Sequence, residues 1–284
     1  MTRYLITGAA GMLGTDLQAA LEGREVTALT RADLDVTDPA AVAAAVEGHS
    51  VILNASAYTR VDDAETDEPA AALVNATAAG LLATAAARHG ATLVQYSTDY
   101  VFDGTAAEPY DEHHDLAPVS AYGRTKADGE RLVGEANGER SHVIRTAWLY
   151  GAGGGNFAKT ILKLAAERDT LTVVADQVGQ PTWTADLAAQ TVRLLDSGIP
   201  NGIWHGTNAG RASWFDFARA IFEEAGLDPE RVTATDSSQF VRPAPRPAYS
   251  VLGHNAWTAA GLTPMRDWRD ALGAAFASGA LGAS

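Results

Sequence analysis

The chain has 284 residues, enough for one large domain or one domain with a small appendage, and its 46% hydrophobic content supplies a sizeable core. A formal charge of −14 with no basic stripe excludes nucleic acid as a general partner, and the absence of cysteine excludes disulfides and thiolate metal sites. The opening MTRYLITGAAG reads as a strand entering a glycine turn, not a targeting leader, and no apolar run approaches the roughly eighteen residues of a membrane span, so a cytoplasmic protein is expected.

Five runs rich in Val, Ile, Leu and Thr predict strands: RYLITG, EVTALT, SVILNASA, ATLVQYS and SHVIRTAW. Alanine-rich amphipathic stretches between them predict helices over 12–22, 39–46, 69–89 and 121–135. Nearly all-apolar strands alternating with helices imply a Rossmann-type α/β fold, a doubly wound parallel sheet covered on both faces. Ligands of such sheets bind outside the carboxyl ends of the strands. After about residue 150 the rhythm loosens. A glycine loop GAGGGNF leads to a helix ending near Arg168, a strand LTVV and the segment DQVGQPTWTAD, which enters another helix. GIWHG, a helix around 213–225, the proline-rich FVRPAPRPAYSVL and a terminal helix after Pro264 complete the chain. Trp204, Trp214, Trp257 and Trp268 are expected as packing residues.

The first strand runs into LITGAAGMLG, with glycines at 8, 11 and 14 opening a helix. Gly8 permits the tight turn, Gly11 lets the backbone approach a pyrophosphate, and Gly14 allows helix to pack closely on strand. The amides that open the helix, at Met12 and Leu13, then face the phosphate charge. A structural glycine turn is the plainer alternative. At the end of the second strand stands Arg31, suited to a 2′-phosphate, with Asp35 and Val36 following in DLDVTD. Arg31 points to NADPH; Asp35 leaves NADH open. After the third strand, Asn54, Ala55, Ser56 and Ala57 let a flat ring and ribose lie close to the backbone.

The fourth strand ends QYSTDYVFDG, and the following helix begins SAYGRTKADGE. Tyr122 and Lys126 are four apart and share a helix face, as do Lys126 and Glu130. Reduction of a carbonyl needs a hydride donor on one face and a proton donor at the oxygen. Tyr122 suits the second role if a nearby cation lowers its pKa from about 10. Thr98 then bonds the same oxygen and stabilises its developing charge. His113 and His114 fall on a loop and are assigned no role, and no metal site is expected.

TGAAGMLG, YSTDYVFDG and YGRTK together make the chain resemble the extended short-chain dehydrogenase/reductases. AYTRVDDAE, RTAWLYG, GNFAKTIL, DQVGQPT and RPAYSVL extend the likeness over almost the whole chain. More narrowly, they resemble the dTDP-4-dehydrorhamnose reductase family. The resemblance implies an NADPH-dependent reduction of dTDP-4-dehydro-L-rhamnose to dTDP-L-rhamnose, or of another dTDP-4-keto-6-deoxyhexose. It makes Thr98, Tyr122 and Lys126 catalytic, sets Asp99, Tyr100, Trp148 and Asn156 near the sugar, and sends Arg246 to the diphosphate. Residues 1–150 would bind the cofactor and carry the chemistry. Residues 151–284 would mainly form a smaller C-terminal substrate lobe, with some segments returning to the first. Related 4,6-dehydratases need a second carboxylate after the threonine. Here Tyr100 follows Asp99, so elimination lacks its machinery. A 4-epimerase and a non-catalytic regulatory subunit stay open. Some relatives form magnesium-bridged dimers; only Asp16 can be matched to those ligands, and a monomer or homodimer is expected.

Overall fold

The apolar runs of the first half form one parallel sheet in the computed structural model, which describes residues 2–282. In chain order, β1 (Arg3–Thr7), α1 (Met12–Ala20), β2 (Glu25–Leu29), α2 (Pro39–Val46) and β3 (Val51–Asn54) open the chain. Two short helices, α3 (Val61–Ala64) and α4 (Glu68–Ala72), lead through a π turn at Leu73–Thr77 into α5 (Ala78–His89) and β4 (Thr92–Thr98). Next come α6 (Ala121–Asn137), β5 (Ser141–Thr146), β6 (Leu149–Tyr150), α7 (Phe157–Glu167), β7 (Leu171–Val174), β8 (Val178–Gly179) and β9 (Thr182–Trp183). The chain closes with α8 (Thr184–Asp196), β10 (Gly202–His205), β11 (Ala212–Ser213), α9 (Trp214–Glu224), β12 (Val232–Thr235), α10 (Asn255–Ala259) and α11 (Trp268–Ala277).

The sheet order is β10-β5-β4-β3-β1-β2. Chain direction across the sheet therefore reverses between β1 and β3, and the crevice at that switch point lies outside their carboxyl ends. Leu5, Ile6, Ile52, Leu53, Leu93 and Val94 are fully buried because helices cover both faces. Leu13 and Leu17 of α1 pack with Leu187 and Leu194 of α8 and with Trp204 and Trp257 on one face. Val42, Leu82, Ala86 and Val133, from α2, α5 and α6, fill the other. A separate core unites Tyr150, Ile161, Phe217, Ile221 and Leu272 around α7, α9 and α11, and Trp214 and Trp268 pack against it. Each buried leucine of these cores contributes about 2 kcal/mol.

On the stretch before β4 one expectation is refined and one corrected. The helix predicted over 69–89 is present as the continuous stretch Glu68–His89, wound as a π turn at Leu73–Thr77, where Asn75 faces inward and is 1% exposed. Its Oδ1 accepts from the Tyr58 amide at 2.9 Å, and its Nδ2 donates to the Tyr58 carbonyl and to Thr125 Oγ1 at 3.1 Å each. The same turn brings the Asn75 carbonyl against Gly129, where a Cβ would meet it at 2.2 Å. Glu68–His89 is also long and apolar enough to cross a membrane, with 22 residues and a mean hydropathy of 1.6 over its most apolar 18-residue window. Interspersed Asn, Thr and Gly conceal that average from a search for unbroken apolar runs. Half of the apolar window is buried, with Ala79, Leu82, Ala83 and Ala86 packed beneath the sheet.

Candidate active site

The glycine turn between β1 and α1 is a cradle with no room for a side chain at Gly8 or Gly14. Gly8 has φ +70, and a Cβ on it would stand 2.7 Å from the Ala55 backbone beyond β3. A Cβ on Gly14 would lie 2.3 Å from the Gly8 carbonyl. Gly11 caps α1 without a side-chain hydrogen bond, and no acidic residue sits in the first turn, so the opening amides suit an anion. Gly153 of the glycine loop closes on the turn from the other side, its Cβ position 3.0 Å from Met12 Cα. These features fit a dinucleotide pyrophosphate at the switch point of the sheet.

At the end of β2, Asp33 accepts from the amide and hydroxyl of Thr30 at 2.9 and 2.6 Å. Asp35 does the same for Thr37, at 2.9 and 2.7 Å. Both carboxylates thus fasten their own turns, while Arg31 is exposed beside them. Asn54, at the end of β3, is 2% exposed, and its side chain is committed to its neighbours. Its Oδ1 accepts from Thr7 Oγ1 and its Nδ2 donates to Gln95 Oε1, both at 2.7 Å. Gln95 passes the chain on to the Tyr96 carbonyl at 2.9 Å. Ala55, Ser56 and Ala57 line the crevice edge with small, partly exposed surfaces.

Thr98 ends β4, and Tyr122 and Lys126 project from the start of α6, which Ser120 caps by accepting from the Gly123 amide at 3.1 Å. A Cβ on Gly123 would lie 2.2 Å from the Tyr100 carbonyl, so the helix docks directly on the loop after β4. Thr98 Oγ1 donates to Asp99 Oδ1 at 2.9 Å and is close enough to the Tyr122 phenol to oppose the rise in its pKa. Tyr100 meets the Tyr122 ring edge-on at 5.7 Å. Asp99 is buried, and burial pushes its carboxyl up to about 6 against bonds from Ser250 and Thr98. Its Oδ2 has no partner among the described residues.

The electrostatics of Tyr122 differ from expectation. Burial first, and the Asp99 carboxylate second, raise the phenol above its ordinary value. Lys126 is not among the groups that oppose this rise; its Nζ donates to the Tyr96 carbonyl at 2.5 Å. Burial lowers the ammonium to about 8, with Glu130 opposing. Glu130 pairs with Arg145, not with Lys126 as the helical spacing suggested. The consequence suits a proton donor: the phenol holds its proton until an acceptor arrives.

A cleft of about 640 Å³ adjoins this group, lined by Tyr100, Asp62, Phe157, Trp214, Phe240 and the arginines 168, 242 and 246. Its size suits a small-molecule ligand. Three guanidiniums make it locally cationic in an acidic chain, and their planar forks match phosphate oxygens. Arg246 Nη2 pairs with Asp62 at 2.9 Å, and its Nη1 donates to the Ala244 carbonyl at 2.9 Å. Trp148 stacks on Trp214 with centroids 3.5 Å apart and planes within 8°. It is the one non-glycine residue with positive φ, +46, among the described residues, and such strain concentrates at ligand sites. Its ring lies on Gly179, where a Cβ would come within 2.7 Å. Asn156 is held differently from the others. Its Oδ1 caps α7 through the Lys159 amide at 3.1 Å, and its Nδ2 donates to the Gly151 carbonyl at 3.0 Å.

Asp62, Phe157, Arg168, Trp214 and Arg242 escaped the sequence reading. Arg242 had a legible signal, since it stands four residues before Arg246 in FVRPAPRP. Trp214 read as core because an aromatic in a helix start looks the same whether it faces a core or a cleft.

The family described as the RmlD substrate binding domain matches residues 2–280. The chain belongs to that family. It is 53% identical over 281 residues to a Streptomyces antibioticus protein named as a probable dTDP-4,6-dihydroxy-2-methyloxan-3-one 4-ketoreductase, covering 96% of this chain and 94% of that one. Identity to the dTDP-4-dehydrorhamnose reductase of Streptomyces griseus is 48% over 282 residues, covering 96% and 93%. The crystal structure of dTDP-4-dehydrorhamnose reductase from Bacillus anthracis in complex with NADP superposes with a TM-score of 0.94 at 38% identity, covering 98% and 100%. The membership expected from the motifs is the one found, and the fold is the Rossmann-like α/β fold of these family members.

Proposed function

We propose that this protein uses NADPH to reduce the C4 ketone of dTDP-4-dehydro-L-rhamnose, giving dTDP-L-rhamnose. The carrying observation is the convergence of Thr98, Tyr122 and Lys126 at the carboxyl edge of the sheet, between a phosphate cradle and an arginine-lined cleft. Residues 1–150 hold the cofactor; 151–284 mainly form the lobe that holds the substrate, with α8 and β10 returning to the cofactor-binding sheet.

Gly8, Gly11, Gly14 and the amides of Met12 and Leu13 receive the pyrophosphate, and Ala55, Ser56 and Ala57 border the ribose and ring. NADPH supplies the hydride when bound. Tyr122, kept protonated by burial and by Asp99, gives its proton to the C4 oxygen as the alkoxide forms. Thr98 bonds that oxygen and shares its developing charge. Lys126, with its ammonium near the sheet edge, bonds the nicotinamide ribose. Tyr100 and Trp148 wall the sugar, and Arg246 exchanges Asp62 for the diphosphate. Asn156 shapes the glycine loop through its cap, so its effect on the sugar is through that loop.

Arg31 is the group that selects NADPH, because Asp33 and Asp35 are engaged in their own turns. Arg31→Ala should weaken NADPH at least tenfold while leaving NADH within about twofold, as loss of one charge-assisted contact predicts. Steady-state kinetics with both cofactors read this, and an unchanged preference removes Arg31 from the site.

The sugar has a second reading, favoured by the 53% identity to the Streptomyces antibioticus ketoreductase. That reading is reduction of another dTDP-4-keto-6-deoxyhexose. Supplying dTDP-4-keto-6-deoxyglucose with and without a 3,5-epimerase, and following NADPH oxidation, separates the two. Turnover only with the epimerase is expected. Equal turnover without it assigns the unepimerised sugar.

A further inference from the structure

Glu130 lies one helical turn beyond Lys126 on α6 and is only 8% exposed. Arg145 of β5 holds its carboxylate with Nε at 3.0 and 3.2 Å and Nη2 at 2.8 Å. Ser97 of β4 donates to Oε1 at 2.5 Å and stands opposite Arg145 in the parallel register. Arg145 also donates through Nη1 to the Glu112 carbonyl at 3.1 Å and lies over the Phe102 ring. Ser97 is flanked by Tyr96, whose carbonyl receives Lys126, and by Thr98. One carboxylate therefore ties the turn of α6 that carries Lys126 to both strands at the reacting edge. Stability alone does not account for such a device, because a packed apolar pair does as well in a buried site.

Lys126 is 4% exposed. The titratable and charged groups around this part of α6 are Tyr122 and Glu130 on the helix, Tyr96 on β4, Asp99 just beyond it, and Arg145 on β5. Glu65 and Glu68 meet the helix start at Ala121 and Arg124, and the π turn brings the neutral Asn75 to Thr125. Of these, Glu130 supplies the negative field that opposes the loss of charge on Lys126.

We propose that Glu130 is a positioning residue for hydride transfer: with Ser97 and Arg145 it seats Lys126 against β4 and keeps its buried ammonium charged. The proposal rests on the reductase reading above. Glu130→Gln alone leaves Arg145 buried without a counter-charge and endangers folding, so the principal variant is the pair Glu130→Gln with Arg145→Met. Both are made, and each that keeps the parent's thermal transition is read in two ways. One is the pH profile of kcat/KM for NADPH oxidation with the dTDP-keto sugar. The other is the pH dependence of the NADPH Kd by protein fluorescence, which needs no sugar substrate.

Glu130→Gln should move the basic limb of both profiles down by about one to two pH units, the effect of a single charge one helical turn away at an effective dielectric of about 20, and the pair should move it less, because the opposing Arg145 charge goes too. Rate recovered at lower pH distinguishes this from a structural lesion. A folded Glu130→Gln whose basic limbs coincide with the parent's, or either folded variant whose rate is depressed equally at every pH, overturns the proposal. Absence of NADPH oxidation by the parent with any dTDP-keto sugar overturns the reductase reading instead, and the NADPH-binding profile then decides on Glu130.

Discussion

Tyr122→Phe should lower kcat for keto-sugar reduction by about 10³-fold, within the range that a positioned proton donor contributes, while NADPH affinity stays within about twofold. The prediction follows from the site's geometry. The phenylalanine ring keeps the edge-on contact with Tyr100 and leaves Lys126 on the Tyr96 carbonyl, so the cradle and the lysine are undisturbed. Only the hydroxyl beside Thr98 is lost. Fluorescence titration with NADPH and a turnover assay on the same preparation separate binding from chemistry. Activity within tenfold of the parent would refute Tyr122 as the donor and leave water, or Asp99 with its pKa near 6, as the alternative.

Gly14→Ala should cost the cofactor site more than its size suggests. The added methyl would sit 2.3 Å from the Gly8 carbonyl and 2.8 Å from Ala9 Cα, both backbone atoms that cannot swing aside. Moving them opens the turn whose amides face the pyrophosphate. A loss of about 2 kcal/mol in stability, a fall of about 5 °C in Tm and at least a tenfold rise in the NADPH Kd are expected. Gly134→Ala is the matched control, because that glycine of α6 is exposed with nothing within 4 Å of its Cβ position. It should gain a few tenths of a kcal/mol or more from helix propensity. Equal Tm and Kd for Gly14→Ala and the parent would show that the turn is looser than its contacts imply.

The glycine turn and the Tyr122–Lys126 spacing were legible because each is local. A strand followed by glycines at fixed offsets, and two side chains one helical turn apart, need no knowledge of the rest of the chain. The strands were legible for a related reason, since a sheet covered on both faces demands continuous apolar runs. Glu130 shows where locality misleads. Its spacing from Lys126 allows a pair on one helix face, but β5 brings Arg145 beneath the helix and claims the carboxylate. Asn54 makes the same point: its place at the end of β3 was legible, but Thr7 and Gln95 on adjacent strands occupy its amide.

By itself, the sequence determined the alternation of strand and helix, the glycine turn and the Tyr122–Lys126 spacing on which the proposed chemistry rests, because period, turn chemistry and i,i+4 spacing are encoded in neighbouring residues. Tertiary structure alone decided the proton affinities of Tyr122 and Lys126 and the shape of the arginine-lined cleft. Burial raises Tyr122 and lowers Lys126, and burial depends on what packs over a residue, not on what precedes it. The cleft assembles Asp62, Phe157, Arg168, Trp214, Arg242 and Arg246 from segments nearly two hundred residues apart, so their meeting is a property of the fold.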